Sequence, residues 1–116
     1  MSYSVYLPNC FKRSLKRLVR RFPRARADVI AAIDDILRFP MLGVVIPGSS
    51  GVRKLRVRSR DLKRGKSGGF RLLYIVLSDR KLICPLLIYA KSNQADVTFH
   101  ELRALLADLK QELDFT

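Results

Sequence analysis

The sequence has no tryptophan, one histidine and two cysteines, and its acids are few: 10 Asp and Glu stand against 23 Lys and Arg in 116 residues. Each shortage excludes something. A ribonuclease built on the usual histidine acid–base pair needs two imidazoles, and His100 stands alone near the start of a helix, where it reads as a surface or capping-turn residue. Cys10 and Cys84 lie far apart, and no Cys/His/Asp cluster has metal-ligand spacing, so no metal and no cofactor are expected. Both thiols read as small buried apolar side chains in a reducing, cytoplasmic setting. No apolar run reaches the ~18 residues of a membrane span. The opening MSYSVYLPNCFKR lacks the apolar core of a signal peptide, and no membrane contact is expected. No internal repeat or low-complexity tract divides the chain, which at this length reads as one domain, 1–116.

What the chain has in excess is positive charge. A net +13 recruits polyanions, and nucleic acid is the commonest such partner. The charge is placed unevenly. Phe11–Arg26 carries eight Lys or Arg and no acid, and Val52–Arg71 carries nine with Asp61 as its single acid. From Asp96 onward the balance reverses, with five acids and two bases.

Hydrophobic periodicity supplies the frame. Ser2–Leu7 alternates as a short strand ended by Pro8-Asn9. Phe11, Leu15, Leu18, Val19 and Phe22 form one helical stripe, with Lys12, Lys16 and Arg20 among the bases on the opposite face. Pro23 breaks this helix and opens a second, about Arg24 to Arg38, with Val29, Ile30, Ile33, Ile36 and Leu37 facing inward. Met41–Gly51 reads as loop, Val52–Val57 as a basic strand, and 58–69 as a basic loop. Phe70–Leu77 and Lys81–Ala90 read as a hairpin around Ser78-Asp79-Arg80. Pro85 lacks a ladder donor, which calls for either a bulge or an unpaired edge. Thr98 and Glu101 have capping-box spacing before a last helix lined by Leu102, Leu105, Leu106, Leu109 and Leu113. The expected fold is α+β: one small antiparallel sheet of about four strands, an N-terminal helical hairpin and a C-terminal helix, with helices on one side of the sheet and another surface open.

Lys54 and Arg56 are two apart on a strand and so share a face. Arg71 opens the next strand within an apolar run, where a guanidinium is costly unless it nears solvent or meets an anion. Lys66 and Lys91 fall where they can ring the same pocket, and Tyr74 and Tyr89 offer rings for stacking on exposed bases. Lys12, Lys16 and Arg20 read as a phosphate track that adds affinity rather than sequence choice. The loop string RGKSGG does not fit a nucleotide-binding loop, because Arg60 stands where that pattern needs glycine and the segment leads into a strand.

Lys54-Leu55-Arg56, then GKSGGFRLLY from Gly65 to Tyr74, then IYAKSNQADVT from Ile88 to Thr98, resemble the RelE/ParE toxin superfamily, in particular its HigB-like, RelE-type branch. The resemblance follows element order over nearly the whole chain. It implies a RelE-like fold and the toxin of a type II toxin–antitoxin pair: a ribosome-dependent, metal-independent mRNA endoribonuclease. The partners it implies are the ribosome, mRNA, and an antitoxin carrying a helix-turn-helix DNA-binding domain. Lys54, Arg56 and Arg71 fall on the family's basic strand positions. After the last strand the family carries a basic pair and a later tyrosine, whereas here Ser92 follows Lys91 and Thr98 or Phe99 stands near the tyrosine position; Tyr89 or Lys66 is the substitute.

Cleavage without metal requires a base for the 2′-OH, charge stabilisation at phosphorus and a proton for the leaving oxygen. Arginine stays protonated, whereas a lysine can lose its proton where like-charged neighbours lower its pKa, so the base falls to Lys54 or Lys91. Arg71 would grip the scissile phosphate, and Arg56 or Lys66 would assist the leaving group. Arg58, Arg60, Lys63 and Arg64 would position RNA. Two other readings share the charge: a ParE-like DNA gyrase poison, and a nucleic-acid-binding module without catalysis.

Overall fold

The computed structural model describes residues 2–60, 69–91 and 96–114. Along the chain come β1 (Ser4–Val5), α1 (Asn9–Arg21), α2 (Ala25–Arg38), β2 (Val44–Val45), β3 (Arg53–Val57), β4 (Phe70–Leu77), a 3-10 turn (Ser78–Arg80), β5 (Leu82–Ala90) and α3 (Phe99–Asp114). The strands form one sheet in the order β1-β5-β4-β3-β2. It is therefore a five-stranded mixed sheet rather than about four antiparallel strands. Val44–Val45, expected as loop, pairs antiparallel with β3, and β1 pairs parallel with β5. The first strand is expected from its alternation, though not its parallel pairing; β2, only two residues long, is too short to leave a periodic signal.

Pro85 sits at a bulge. Tyr74 faces Pro85 while Leu73 faces Leu87, so β5 has one residue more than β4 at this point. The extra residue is Leu86, which is fully buried. A proline without an N–H is tolerated where the ladder is already interrupted. On the outer side of β5, the Ile88 amide donates to the buried Ser14 hydroxyl of α1 at 3.1 Å, so a helix side chain caps part of this sheet edge.

Helices lie on both faces of the sheet, not on one side only as the sequence suggested. Phe11 and Leu18 of α1, Phe22 just beyond it, and Val29 and Ile36 of α2 pack against Phe70, Leu72 and Tyr74 of β4. Leu102 and Leu109 of α3 pack with Leu73, Cys84 and Leu86 on the opposite face. Alternation along β4 divides the two clusters. In α2 the stripe is shifted from expectation: Ile30 is exposed, while Ala25 and Ala32 are buried. The turn after β4 closes on Lys81 in the left-handed region, at φ 52°. Among the described residues no helix is long and apolar enough to cross a membrane.

α3 is tied back to the start of the chain. Glu112 accepts the Tyr6 hydroxyl at 2.8 Å and the Asn9 amide at 3.1 Å, so a carboxylate of the last helix caps the first.

Candidate nucleic-acid interface

The α3 face of the sheet is apolar beneath the helix and cationic beyond it. Register sets this up. Arg56 faces Arg71 across β3 and β4, and Arg71 faces Tyr89 across β4 and β5. Directly opposed residues share a face, so three strands present Arg56, Arg71 and Tyr89 in one row. Lys54 stands opposite Leu73, two residues along the same face. Lys91 follows the end of β5, where its amide donates to the Gly69 carbonyl at 3.4 Å. Gly69 has φ +82°, and a Cβ there would lie 2.7 Å from the Val57 carbonyl oxygen, so glycine is required for this approach of backbone to backbone.

The four cations differ in their surroundings. Arg56 is exposed. Arg71 is only 8% exposed, and its Nη1 lies 3.3 Å from the Phe70 carbonyl. Lys54 and Lys91 are partly exposed, and both approach one carboxylate that sequence reasoning did not single out, Asp96. Its Oδ1 is 2.9 Å from Lys91 Nζ and 4.0 Å from Lys54 Nζ. The hydrogen bond from Lys91, then the charge of Lys54, hold the Asp96 carboxyl below the usual carboxylate range. The signal for Asp96 was present: it lies in the string that carried the resemblance, two residues before the capping Thr98. A lone exposed acid, however, has no pattern of its own.

Tyr89 is buried to 5% exposure among the α3 cluster. Burial raises its hydroxyl pKa, Asp96 raises it further, and Arg71 opposes them. Such a phenol holds its proton at neutral pH and acts as a donor.

Tyr74 does not belong to this surface. The pleat of β4 puts it on the α1–α2 side with Phe70 and Leu72, fully buried. Its hydroxyl donates to the Pro40 carbonyl at 2.8 Å and accepts the Gly43 amide at 2.7 Å. It cannot stack on a base without unfolding, and the expectation that it binds RNA is corrected. Arg60 is also committed elsewhere: Asp28 of α2 accepts its backbone amide at 3.0 Å and pairs with its Nε at 3.3 Å. Arg58 is exposed. Lys63, Arg64 and Lys66 lie outside the described residues.

Lys12, Lys16 and Arg20 are exposed on α1, as expected. The bases of that helix that meet the sheet edge are different ones. Arg17 and Arg21 line a groove with Leu87, Ile88 and Tyr89. The helical stripe carrying Arg17 and Arg21 thus brings positive charge to the margin of the Arg71–Tyr89 row, and the Lys12–Lys16–Arg20 stripe does not line it.

The sequence matches no protein-family model. Among solved structures, the chain is similar to a double arginine-to-alanine variant of the E. coli toxin RelE in the free state. The likeness has a TM-score of 0.59 at 18% identity, covering 81% of this chain and 88% of that one. The chain therefore has a RelE-like α+β fold.

Proposed function

We propose that the chain is the toxin of a type II toxin–antitoxin pair and cleaves mRNA on the ribosome without a metal ion. The observation that carries this reading is the row of Arg56, Arg71 and Tyr89 on one sheet face, with Lys54 and Lys91 beside it. The RelE-like fold supports it, as does the HigB-like string from Gly65 to Thr98.

In this reading one of Lys54 and Lys91, as the neutral amine once Asp96 is displaced, takes the 2′-OH proton while the other stays an ammonium, and the oxygen attacks phosphorus. Arg71, with Arg56, stabilises charge on the phosphorane oxygens. The protonated Tyr89 hydroxyl supplies the proton to the leaving 5′-oxygen, and the Arg56 charge assists its departure. The products are a 2′,3′-cyclic phosphate and a 5′-OH. A shallow sheet surface aligns a flexible strand poorly, and the ribosome supplies that alignment. The antitoxin presents an acidic or apolar segment to the toxin and carries a helix-turn-helix domain.

The test is transcript integrity in a translation extract, with and without ribosomes. Wild type cuts only with ribosomes, and Arg71→Ala keeps the circular dichroism of the wild type while mRNA stays whole. An Arg71→Ala chain that still cleaves removes Arg71 from the chemistry. Gyrase-dependent DNA breaks with intact mRNA would establish the ParE-like reading instead. Tight RNA binding with no cleavage under any condition would leave a binding module.

A further inference from the structure

Asp96 stands inside a cluster of cations without an evident structural reason to be there. Its side chain is 67% exposed, so burial does not hold it. A solvent-exposed ion pair contributes little to stability. Yet one oxygen, Oδ1, reaches lysines from two different parts of the sheet: Lys54 on β3, and Lys91 beyond the end of β5, with β4 running between those strands. Among the described residues it is the acid that pairs with both lysines, by a hydrogen bond from Lys91 and at ion-pair distance from Lys54. In a chain with 23 bases and 10 acids, that is a costly position for a negative charge if the surface binds RNA.

The chemistry of the contact explains the position. An ammonium makes the same kind of charge-assisted bond to a carboxylate oxygen as to a phosphate oxygen. Two ammonium groups converging on one oxygen mark a point where an anionic oxygen is stabilised. Aspartate is ionised throughout the neutral range, and Lys91 and Lys54 hold the Asp96 carboxyl lower still. The start of α3 does not depend on the Asp96 contact, since it is capped by Thr98 and Glu101.

We propose that the Asp96 carboxylate occupies a phosphate-oxygen subsite between Lys54 and Lys91, and that single-stranded RNA takes this subsite by displacing it. The inference rests on the reading of this face as the RNA-cleaving surface and adds where one backbone phosphate sits. Asp96 lowers affinity for every RNA alike and holds the two lysines together while the site is empty.

The experiment measures binding of a non-cleavable, 2′-O-methyl oligonucleotide by fluorescence anisotropy across a salt series, so that it does not depend on turnover. The chains compared are wild type, Asp96→Asn, Asp34→Asn, Lys91→Ala and the Asp96→Asn/Lys91→Ala pair. Asp34 is an exposed acid of α2 that reports what removing any negative charge does. Asp96→Asn binds roughly three- to tenfold more tightly than wild type, and its salt slope differs by less than about 0.7, the increment for one phosphate contact on a single strand, because wild type makes the same contact once Asp96 is displaced. The gain exceeds that of Asp34→Asn and disappears in the Lys91→Ala background. Equal or weaker binding by Asp96→Asn overturns the proposal. So does a gain no larger than that of Asp34→Asn, or one that survives loss of Lys91. If wild type leaves mRNA whole on ribosomes, the cleavage reading falls, and this binding comparison still decides the role of Asp96.

Discussion

Arg56 and Arg71 stand directly opposite one another across β3 and β4. Like charges in that relation destabilise a sheet by about 0.2–1 kcal/mol, so the pair is a cost the fold carries for the surface it creates. Arg56→Gln is expected to raise stability by roughly 0.5 kcal/mol and to lower the rate of mRNA cleavage by about tenfold or more. Chemical denaturation paired with a ribosome-dependent cleavage assay checks both halves. Added salt narrows the stability difference, because Arg56 is exposed and screened. A variant that is less stable than wild type shows that Arg56 has a structural partner and that the pairing is not strained.

Tyr74 and Tyr89 provide a matched contrast. They are both buried tyrosines on adjacent strands, on opposite faces of the sheet. Tyr74→Phe removes a hydroxyl that bonds Pro40 and Gly43, leaving the Gly43 amide without that acceptor. The expected cost is about 1–3 kcal/mol, with cleavage per folded molecule unchanged. Gly43→Ala strikes the same contact from the other side, because its Cβ would lie 2.8 Å from the Tyr74 ring. Tyr89→Phe is expected to do the reverse: a small change in melting temperature and a large loss of cleavage. Thermal melts and single-turnover rates on the three variants separate the roles. If Tyr74→Phe loses activity beyond its loss of folded protein, the two faces are coupled.

These tyrosines also show what could be read from the sequence. The residues of β4 and β5 are apolar on both faces, so alternation does not say which tyrosine looks toward which helix. The single-residue bulge at Pro85–Leu86 then changes the phase of β5. Lys54 and Arg56 were legible because a five-residue strand with basic residues at alternate positions leaves one arrangement. The helices were legible to within a few residues from their stripes. β2 was not, since two exposed valines carry no period, and Asp96 was not, since its partners come from distant strands that only the folded register brings together. Arg60 was read by charge alone, and charge does not reveal that a buried Asp28 claims it.

Burial pushes the Cys84 thiol up to about 11, with Arg80 acting weakly against it. At pH 8 roughly one thiol in a thousand is ionised, and the thiolate is the reactive form. Cys10 moves in the same direction for the same reason. Native protein is therefore expected to resist iodoacetamide at pH 8 over hours, while denatured protein takes up two labels within minutes. Mass spectrometry of intact protein reads the outcome. Labelling of Cys84 in the native state at the rate of a free thiol contradicts the burial.

The start of α3 predicts how stability responds to acid. The Thr98 hydroxyl accepts the Glu101 amide at 3.1 Å, and a Glu101 carboxylate oxygen accepts the Thr98 amide at 3.0 Å, a reciprocal capping box. The Thr98 amide, then the Thr98 hydroxyl, hold the Glu101 carboxyl below its usual range. A carboxyl depressed in the folded state contributes fully above its unfolded pKa, about 4.3, and loses that contribution as pH falls through the lower folded value. Asp96 is shifted the same way by Lys91 and Lys54, so it titrates with the same sign. Thr98→Ala is expected to lower stability by about 1 kcal/mol at neutral pH. Glu101→Gln keeps an acceptor but not the charge, so its stability should change less between pH 5 and pH 3 than that of wild type. Urea denaturation at a series of pH values checks this. Parallel acid limbs for wild type and Glu101→Gln would mean that the cap holds its carboxylate no better than the unfolded chain does.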